Sequence, residues 1–313
     1  VGDYRTWAVR DLGGRGVSAR KVLRQARLCL EEARPTVQLI FLLRFLAGAV
    51  LGRPDHSANL SRLMIGMAGW MCATTAVYLF NGVADQQEDT ENGSTRPITS
   101  GRLPARSALT GVGVATLAGL LLAFTLGTGF GLLMACYLWV GYAYSGRPFW
   151  FKRTYGAATA TGLALGLGTY LAGCLAGGGR GTVDLTVFSV AMSLWMAGVG
   201  SIAKDLSDIK GDLTAGRRSW SIVLGETSAR RALAVVALAL GASFVLVACL
   251  RPGYLLAGAV AVLVGACAVA AVSLRGPRRP DRSSARRPYR VFMRTQYAAH
   301  AALILSLWLT VRG

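Results

Sequence analysis

Apolar positions along this chain fall in long blocks, not in the alternation of half-buried strands or the narrow stripe of soluble amphipathic helices. Nine blocks, near 36–52, 62–83, 107–126, 128–145, 156–177, 184–203, 229–249, 253–274 and 290–311, approach the ~20 residues that a helix needs to cross a hydrocarbon core. The expected architecture is all-α, a polytopic membrane protein with nine transmembrane helices around a central cavity. Residues 1–34 form a separate basic segment without an apolar core, so no cleavable signal peptide is expected there. Residues 35–313 are expected to form one transmembrane domain.

Polar residues interrupt this pattern at two places. At the end of the second block, Asn81, Asp85 and Asp89 follow at intervals of four, ahead of the turn-rich Gly93-Ser94-Thr95-Arg96-Pro97. On a helix that spacing puts all three side chains on one face. After the sixth block, Asp205, Asp208 and Asp212 stand at i, i+3 and i+7 and again share a face. Carboxylates at membrane helix ends are too costly to be incidental. Their oxygens suit a hard cation such as Mg2+, and the two faces are expected to meet across one cavity.

A net charge of +19 would point to nucleic acid in a soluble chain. Its distribution decides otherwise. Lys and Arg crowd 1–34, 84–106, 146–155, 204–231 and 275–290, while the intervening connections hold only Arg53, Arg62, Arg180 and Arg251. This positive-inside alternation puts the N-terminus and both acidic clusters on the cytoplasmic side, with a bacterial cell membrane the expected location and no nucleic-acid partner. The N-terminal segment, with Arg10, Arg15, Arg20, Lys21, Arg24 and Arg27, reads either as an amphipathic helix on anionic lipid or as a solvated orienting tail. The 275–290 stretch reads as topogenic, without chemistry.

Arg44 lies deep in the first block, where an ionisable side chain is by default functional: it is expected to face the cavity and meet a carboxylate or an anionic ligand, the alternative being a structural or snorkelling role. The six cysteines show no CxxC spacing and read as packing residues. His56 and His300 are isolated, and the glycines of 162–168 suggest close helix packing in lipid. No phosphate-binding loop, nucleophile elbow or dinucleotide fingerprint is present.

Asn81-x-x-x-Asp85-x-x-x-Asp89 followed by Arg96-Pro97-Ile98-x-Ser100-Gly101 resembles the first signature of the UbiA superfamily of membrane-embedded prenyltransferases. Lys204-Asp205-x-x-Asp208-x-x-Gly211-Asp212 resembles its second, and Tyr144-Ser145-Gly146-Arg147-Pro148 with Lys152 and Arg153 resembles the basic loop after its fourth helix. The three motifs occur in order and cover nearly the whole chain. Gly82, Gln87 and Lys210 stand where acidic residues are frequent, and Pro148 breaks a Tyr-x-x-x-Lys spacing found in some members.

The resemblance implies Mg2+-dependent ionisation of an allylic prenyl diphosphate, with charge on the departing oxygens neutralised by metal and cationic side chains. It implies Asn81, Asp85 and Asp89 on one metal and Asp208 and Asp212 on another, with Asp205 auxiliary. Arg96, Arg147, Lys152, Arg153 and Lys204 are the clamp candidates for the diphosphate. Tyr78, Phe80, Tyr137, Trp139, Tyr142, Tyr144 and Trp195 are candidates for ring faces around the carbocation. The expected reaction is prenyl transfer to an aromatic or quinone-like acceptor, in keeping with secondary metabolism; the alternative is a terpene cyclase that needs no acceptor. A transporter would carry its carboxylates near mid-bilayer on broken helices, whereas these cluster at one face.

Overall fold

The computed structural model describes residues 19–53, 59–251, 253–276 and 282–312. Arg10, Arg15, His56 and residues 277–281 of the arginine-rich stretch lie outside the described residues.

The chain enters through α1 (Ala19–Glu32), which meets α2 (Pro35–Leu51) at a bend of 71°. Pro35 pre-sets the first turn of α2 and bars the residue before it from helical geometry. Arg34 accordingly takes a left-handed φ of 59°, a conformation that costs a non-glycine residue about 1–2 kcal/mol. Asn59 then caps α3 (Leu60–Ala84) by accepting from the Arg62 amide at 3.1 Å. A short α4 (Gln86–Glu91) follows, then α5 (Ala105–Thr125), α6 (Thr128–Ser145), a single 3-10 turn at Phe151–Arg153, and α7 (Tyr155–Ala176). α8 (Val183–Leu194) runs through a π-helical stretch, Trp195–Gly200, into α9 (Ser201–Thr214). The chain ends with α10 (Trp220–Leu224), α11 (Glu226–Cys249), α12 (Leu255–Leu274), the turn α13 (Arg282–Ala285) and α14 (Arg287–Arg312).

All nine predicted blocks are helical among the described residues. Six helices, with α8 and α9 counted together, are long and apolar enough to cross a membrane, and a seventh if α1 and α2 form one bent span. The expected nine is thus reached in helices and not in unambiguous crossings. α2 has 17 residues, α6 carries Tyr137, Trp139, Tyr142 and Tyr144, and α14 opens on Arg287, Arg290 and Arg294.

Lipid tails are as apolar as leucine, so close backbone approach and buried polar contacts hold such a bundle together. A Cβ on Gly173 or Gly48 would strike the backbone of Phe45 or Tyr170, which is how α2 and α7 pack face to face. In 162–168, by contrast, only Gly166 is tightly packed, against Ser193 and Met196. The Trp70 indole donates to Thr169 at 3.3 Å, and the Tyr170 hydroxyl meets His300 Nε2 at 2.8 Å, giving that histidine a structural place. The outward faces stay apolar, as at Val114, Leu117 and Leu121 of α5. α14 packs on α2 and α12 and closes the bundle.

Candidate active site

The helical hydrogen bonding of α3 carries past its end: the Asp85 amide reaches the Asn81 carbonyl and the Asp89 amide the Asp85 carbonyl, each at 2.8 Å. The side chains nevertheless part. Asn81 Nδ2 donates to Ser145 Oγ at 2.8 Å, Lys152 donates to Asp85, and Arg96 pairs with Asp89 at 2.6 Å. The three predicted ligands share an edge of the site but do not converge. On α9, Asp205 accepts the Trp220 amide at 3.0 Å and so holds the start of α10. Asp208 lies between Lys204 (3.4 Å) and Arg282 (3.0 Å), and Asp212 accepts from Arg217 at 2.8 Å. Arg282 belongs to the stretch read as topogenic, and the fold places it on Asp208.

Two cations neutralise the acidic helix ends, and Arg217 bridges them. Lys152 pairs with Asp85 and with Glu88 (3.0 Å), and Arg217 pairs with Glu88 (3.1 Å) and Asp212. Arg217 Nε also donates to the Lys152 carbonyl at 3.1 Å, locking the 3-10 turn to the loop after α9. α4 and α9 touch directly: the Gly211 amide donates to Asn92 at 2.9 Å, and a Cβ on Gly211 would lie 2.6 Å from the Glu88 carbonyl. Burial raises the Glu88 carboxyl, reinforced by neighbouring Asp85 and opposed by Lys152 and Arg217. Burial also acts to raise Asp85, but Lys152 outweighs it and holds that carboxyl below the usual range.

Glu88 and Arg217 escaped the candidate list although both had a signal. Glu88 is three residues after Asp85, and Arg217 five after Asp212. Glu32 gave less warning. Fully buried at the end of α1, it pairs with Arg96 at 2.6 Å and accepts the Ile98 amide at 2.9 Å. A Cβ on Gly82 would lie 2.3 Å from its Oε1. The missing side chain at position 82 is therefore what admits a carboxylate from α1.

Asn81, Asp85, Lys204 and Tyr144 line a cavity of about 180 Å³ that runs inward between α2, α3, α7 and the π-helical stretch. Phe41, Tyr78, Tyr289 and Phe292 supply its other rings. Tyr137 instead packs on Trp70 (4.5 Å between centroids) and Trp195 on Phe292 (6.1 Å), while Trp139 and Tyr142 face outward. Arg44 does face the cavity but meets no carboxylate: it donates to Gln296 and to Met196 Sδ (2.7 Å) and lies 5.8 Å from the Phe41 ring. Arg147 and Arg153 are exposed and flank Trp150 at 5.2 and 5.6 Å, away from the cavity lining.

Residues 41–309 match the model of the UbiA prenyltransferase family. The chain belongs to that family. No curated protein matches it. Among solved structures, a UbiA homolog from Archaeoglobus fulgidus bound to GPP and Mg2+ aligns with TM-score 0.66 at 18% identity, over 88% of this chain and 99% of its own. A UbiA homolog from Aeropyrum pernix K1, in apo form, gives TM-score 0.66 at 21% identity over 86% and 97%. A digeranylgeranylglyceryl phosphate synthase gives 0.63 at 15% over 90% and 98%.

A divalent ion would find hard oxygen donors at this UbiA-family site, the donor type that Mg2+ takes. Asp212 Oδ2 is buried without a hydrogen-bond partner, an oxygen of the kind such an ion takes. Among the described residues no three His, Cys, Asp or Glu converge on one point. That suits an ion held by one or two carboxylates, with phosphate oxygens and water completing its shell.

Proposed function

We propose that this protein is a Mg2+-dependent prenyltransferase that moves an isoprenyl group from an allylic diphosphate to an aromatic or quinone-like acceptor. The observation that carries the reading is an aromatic-walled cavity lined by Asn81, Asp85 and Lys204, beside two acidic helix ends that Arg217 joins through Glu88 and Asp212. The A. fulgidus homologs bound to GPP or DMAPP with Mg2+ support it.

In this reading Asn81, Asp85 and Asp89 hold one metal ion and Asp208 and Asp212 another, each ion completed by phosphate oxygens and water, with Asp205 orienting α10 beside them. Bound Mg2+ neutralises charge developing on the departing diphosphate oxygens. Lys152, Lys204 and Arg217 place fixed positive charge on the same oxygens. Phe41, Tyr78, Tyr144 and Tyr289 keep water from the allylic cation and offer it ring faces. As the carbon–oxygen bond breaks, the acceptor ring forms the new carbon–carbon bond. Its proton then passes to a carboxylate of the acidic clusters or to the released pyrophosphate.

We read α2, α6 and α14 as further crossings, for nine in one domain over residues 35–313, with the N-terminus and the site on the Lys/Arg-rich cytoplasmic side of a bacterial membrane. The test is product mass with Mg2+, geranyl, farnesyl or geranylgeranyl diphosphate, and a panel of phenolic acceptors. A product of acceptor plus prenyl mass supports transfer; a hydrocarbon or terpene alcohol formed without acceptor would make the protein a cyclase.

A further inference from the structure

Packing in the bundle accounts for only one side of α1. Leu28 and Glu32 are buried, but Val22, Leu23 and Leu30 are 50%, 70% and 57% exposed. With the exposed Ala26 they stand at i, i+1, i+4 and i+8 and form one apolar row along the helix. Arg20, Arg24 and Arg27, at i, i+4 and i+7, form a second row beside it and are exposed together with Lys21. Both acids of the helix are taken by cations from elsewhere, Glu31 by Arg102 and Glu32 by Arg96, each at 2.6 Å. What α1 offers outward is an apolar strip edged with positive charge.

Three contacts fix its level. Gln25 Nε2 donates to Ser107 Oγ at 3.1 Å, a Cβ on Gly111 would lie 3.2 Å from Cys29 Sγ, and Glu32 fills the space beside Gly82. Ser107 and Gly111 belong to the first two turns of α5 and Gly82 to the last turn of α3, both long and apolar enough to cross a membrane. α1 thus lies across the ends of two crossings, where hydrocarbon gives way to headgroups. The 71° bend at Arg34 agrees with this, since α2 runs down into the bundle while α1 runs across its end. As a straight continuation of α2, α1 would carry Arg20, Lys21, Arg24 and Arg27 into hydrocarbon or far from the surface that suits them.

An amphipathic helix of this kind is held by its apolar row in the boundary between headgroups and acyl chains and by anionic lipid under its cations. We propose that α1 is an in-plane anchor on an anionic membrane surface, with Val22, Leu23, Ala26 and Leu30 among the acyl chains and Arg20, Lys21, Arg24 and Arg27 on lipid phosphates, and that this anchor holds Glu32 on Arg96 at the edge of the site. The link is short. Glu32 ends α1, accepts the Ile98 amide at 2.9 Å, and shares Arg96 with Asp89. Such an anchor requires α3 and α5 to cross the membrane and is independent of the reaction proposed above.

The test is hydrogen exchange of the full chain in nanodiscs, read by mass spectrometry over residues 19–32 and 94–103. One set of discs holds phosphatidylcholine alone; in the other, about one lipid in three is phosphatidylglycerol. Both segments should exchange at least about fivefold more slowly on the anionic surface, the scale of one Lys or Arg beside it. Segments of α12 should not change. Molar sodium chloride should erase the difference in the wild type, because it screens the surface charge. The triple variant Arg20→Gln/Arg24→Gln/Arg27→Gln, altered only at exposed positions, should lose it at ordinary salt. Equal exchange of 19–32 on the two surfaces, or a difference that survives both the salt and the variant, overturns the anchor. Slowing of 19–32 without 94–103 overturns its hold on Glu32. Protection that rises with the number of chains per disc, whatever the lipid, would give the apolar row to a second copy and overturns the proposal too. Pyrophosphate release plays no part in these readouts, so failure of the transferase reading leaves them standing and their failure leaves that reading intact.

Discussion

Arg217 lies 3.1 Å from Glu88 where α4 meets α9, and the same guanidinium holds Asp212 at 2.8 Å. The three side chains are at most 9% exposed, so solvent screens them little. Arg217→Ala leaves Asp212 a buried charge without its partner, and removal of one member of such a pair costs about 3–5 kcal/mol. Unfolding in detergent should show that loss, with Arg217→Lys retaining part of it; an unchanged midpoint in Arg217→Ala would contradict the bridge.

Lys152 carries a different expectation, because it pairs with Asp85 at the cavity lining and the proposed reaction puts its charge on the departing diphosphate. Lys152→Met should lower the rate of pyrophosphate release by about 100-fold, the scale of losing one preorganised charge-stabilising donor. Single-turnover kinetics with geranyl diphosphate and Mg2+ would measure it. A rate near that of the wild type would remove Lys152 from the chemistry.

The helices were legible in the sequence because uncharged blocks of membrane length have few other ways to bury their backbone polar groups. The acidic clusters were legible for a related reason, the cost of a charge at a membrane helix end. Their internal arrangement was not. Helical spacing puts Asn81, Asp85 and Asp89 on one face, but each side chain is drawn to a different partner, Ser145, Lys152 or Arg96, contributed by elements distant in sequence or by the following loop. Glu32 was invisible because only the bend at Arg34 carries the end of α1 to Gly82. Arg282 was hidden by composition, since one arginine in a run of them looks topogenic until the fold puts it on Asp208.

Gly211 makes a steric prediction. A Cβ there would sit 2.6 Å from the Glu88 carbonyl and 2.3 Å from Asn92 Nδ2, and the first of these is backbone. Gly211→Ala should cost about 1–3 kcal/mol as overpacking and separate α4 from α9. Thermal unfolding and pyrophosphate release should therefore fall together; a variant with both intact would show that the contact is looser than described.

Gly82 offers a cycle of two substitutions. Gly82→Asp drives a carboxylate into the space of Glu32 and should destabilise the protein by about 1–3 kcal/mol through crowding. Glu32→Ala empties that space and frees Arg96 to pair with the new aspartate. The double variant should be more stable than the sum of the two single changes, by about 0.5–3 kcal/mol of coupling. Strict additivity would mean that positions 32 and 82 do not compete.

The most direct measurement is pyrophosphate release from geranyl diphosphate by the wild type, by Asp85→Asn and by Asp208→Asn, with Mg2+ and with excess EDTA. The account predicts release by the wild type that EDTA abolishes, and a fall of about 100-fold or more in each folded variant. Release that survives EDTA, or near-normal turnover in both variants, would contradict the assignment of the two acidic helix ends to a metal–diphosphate site.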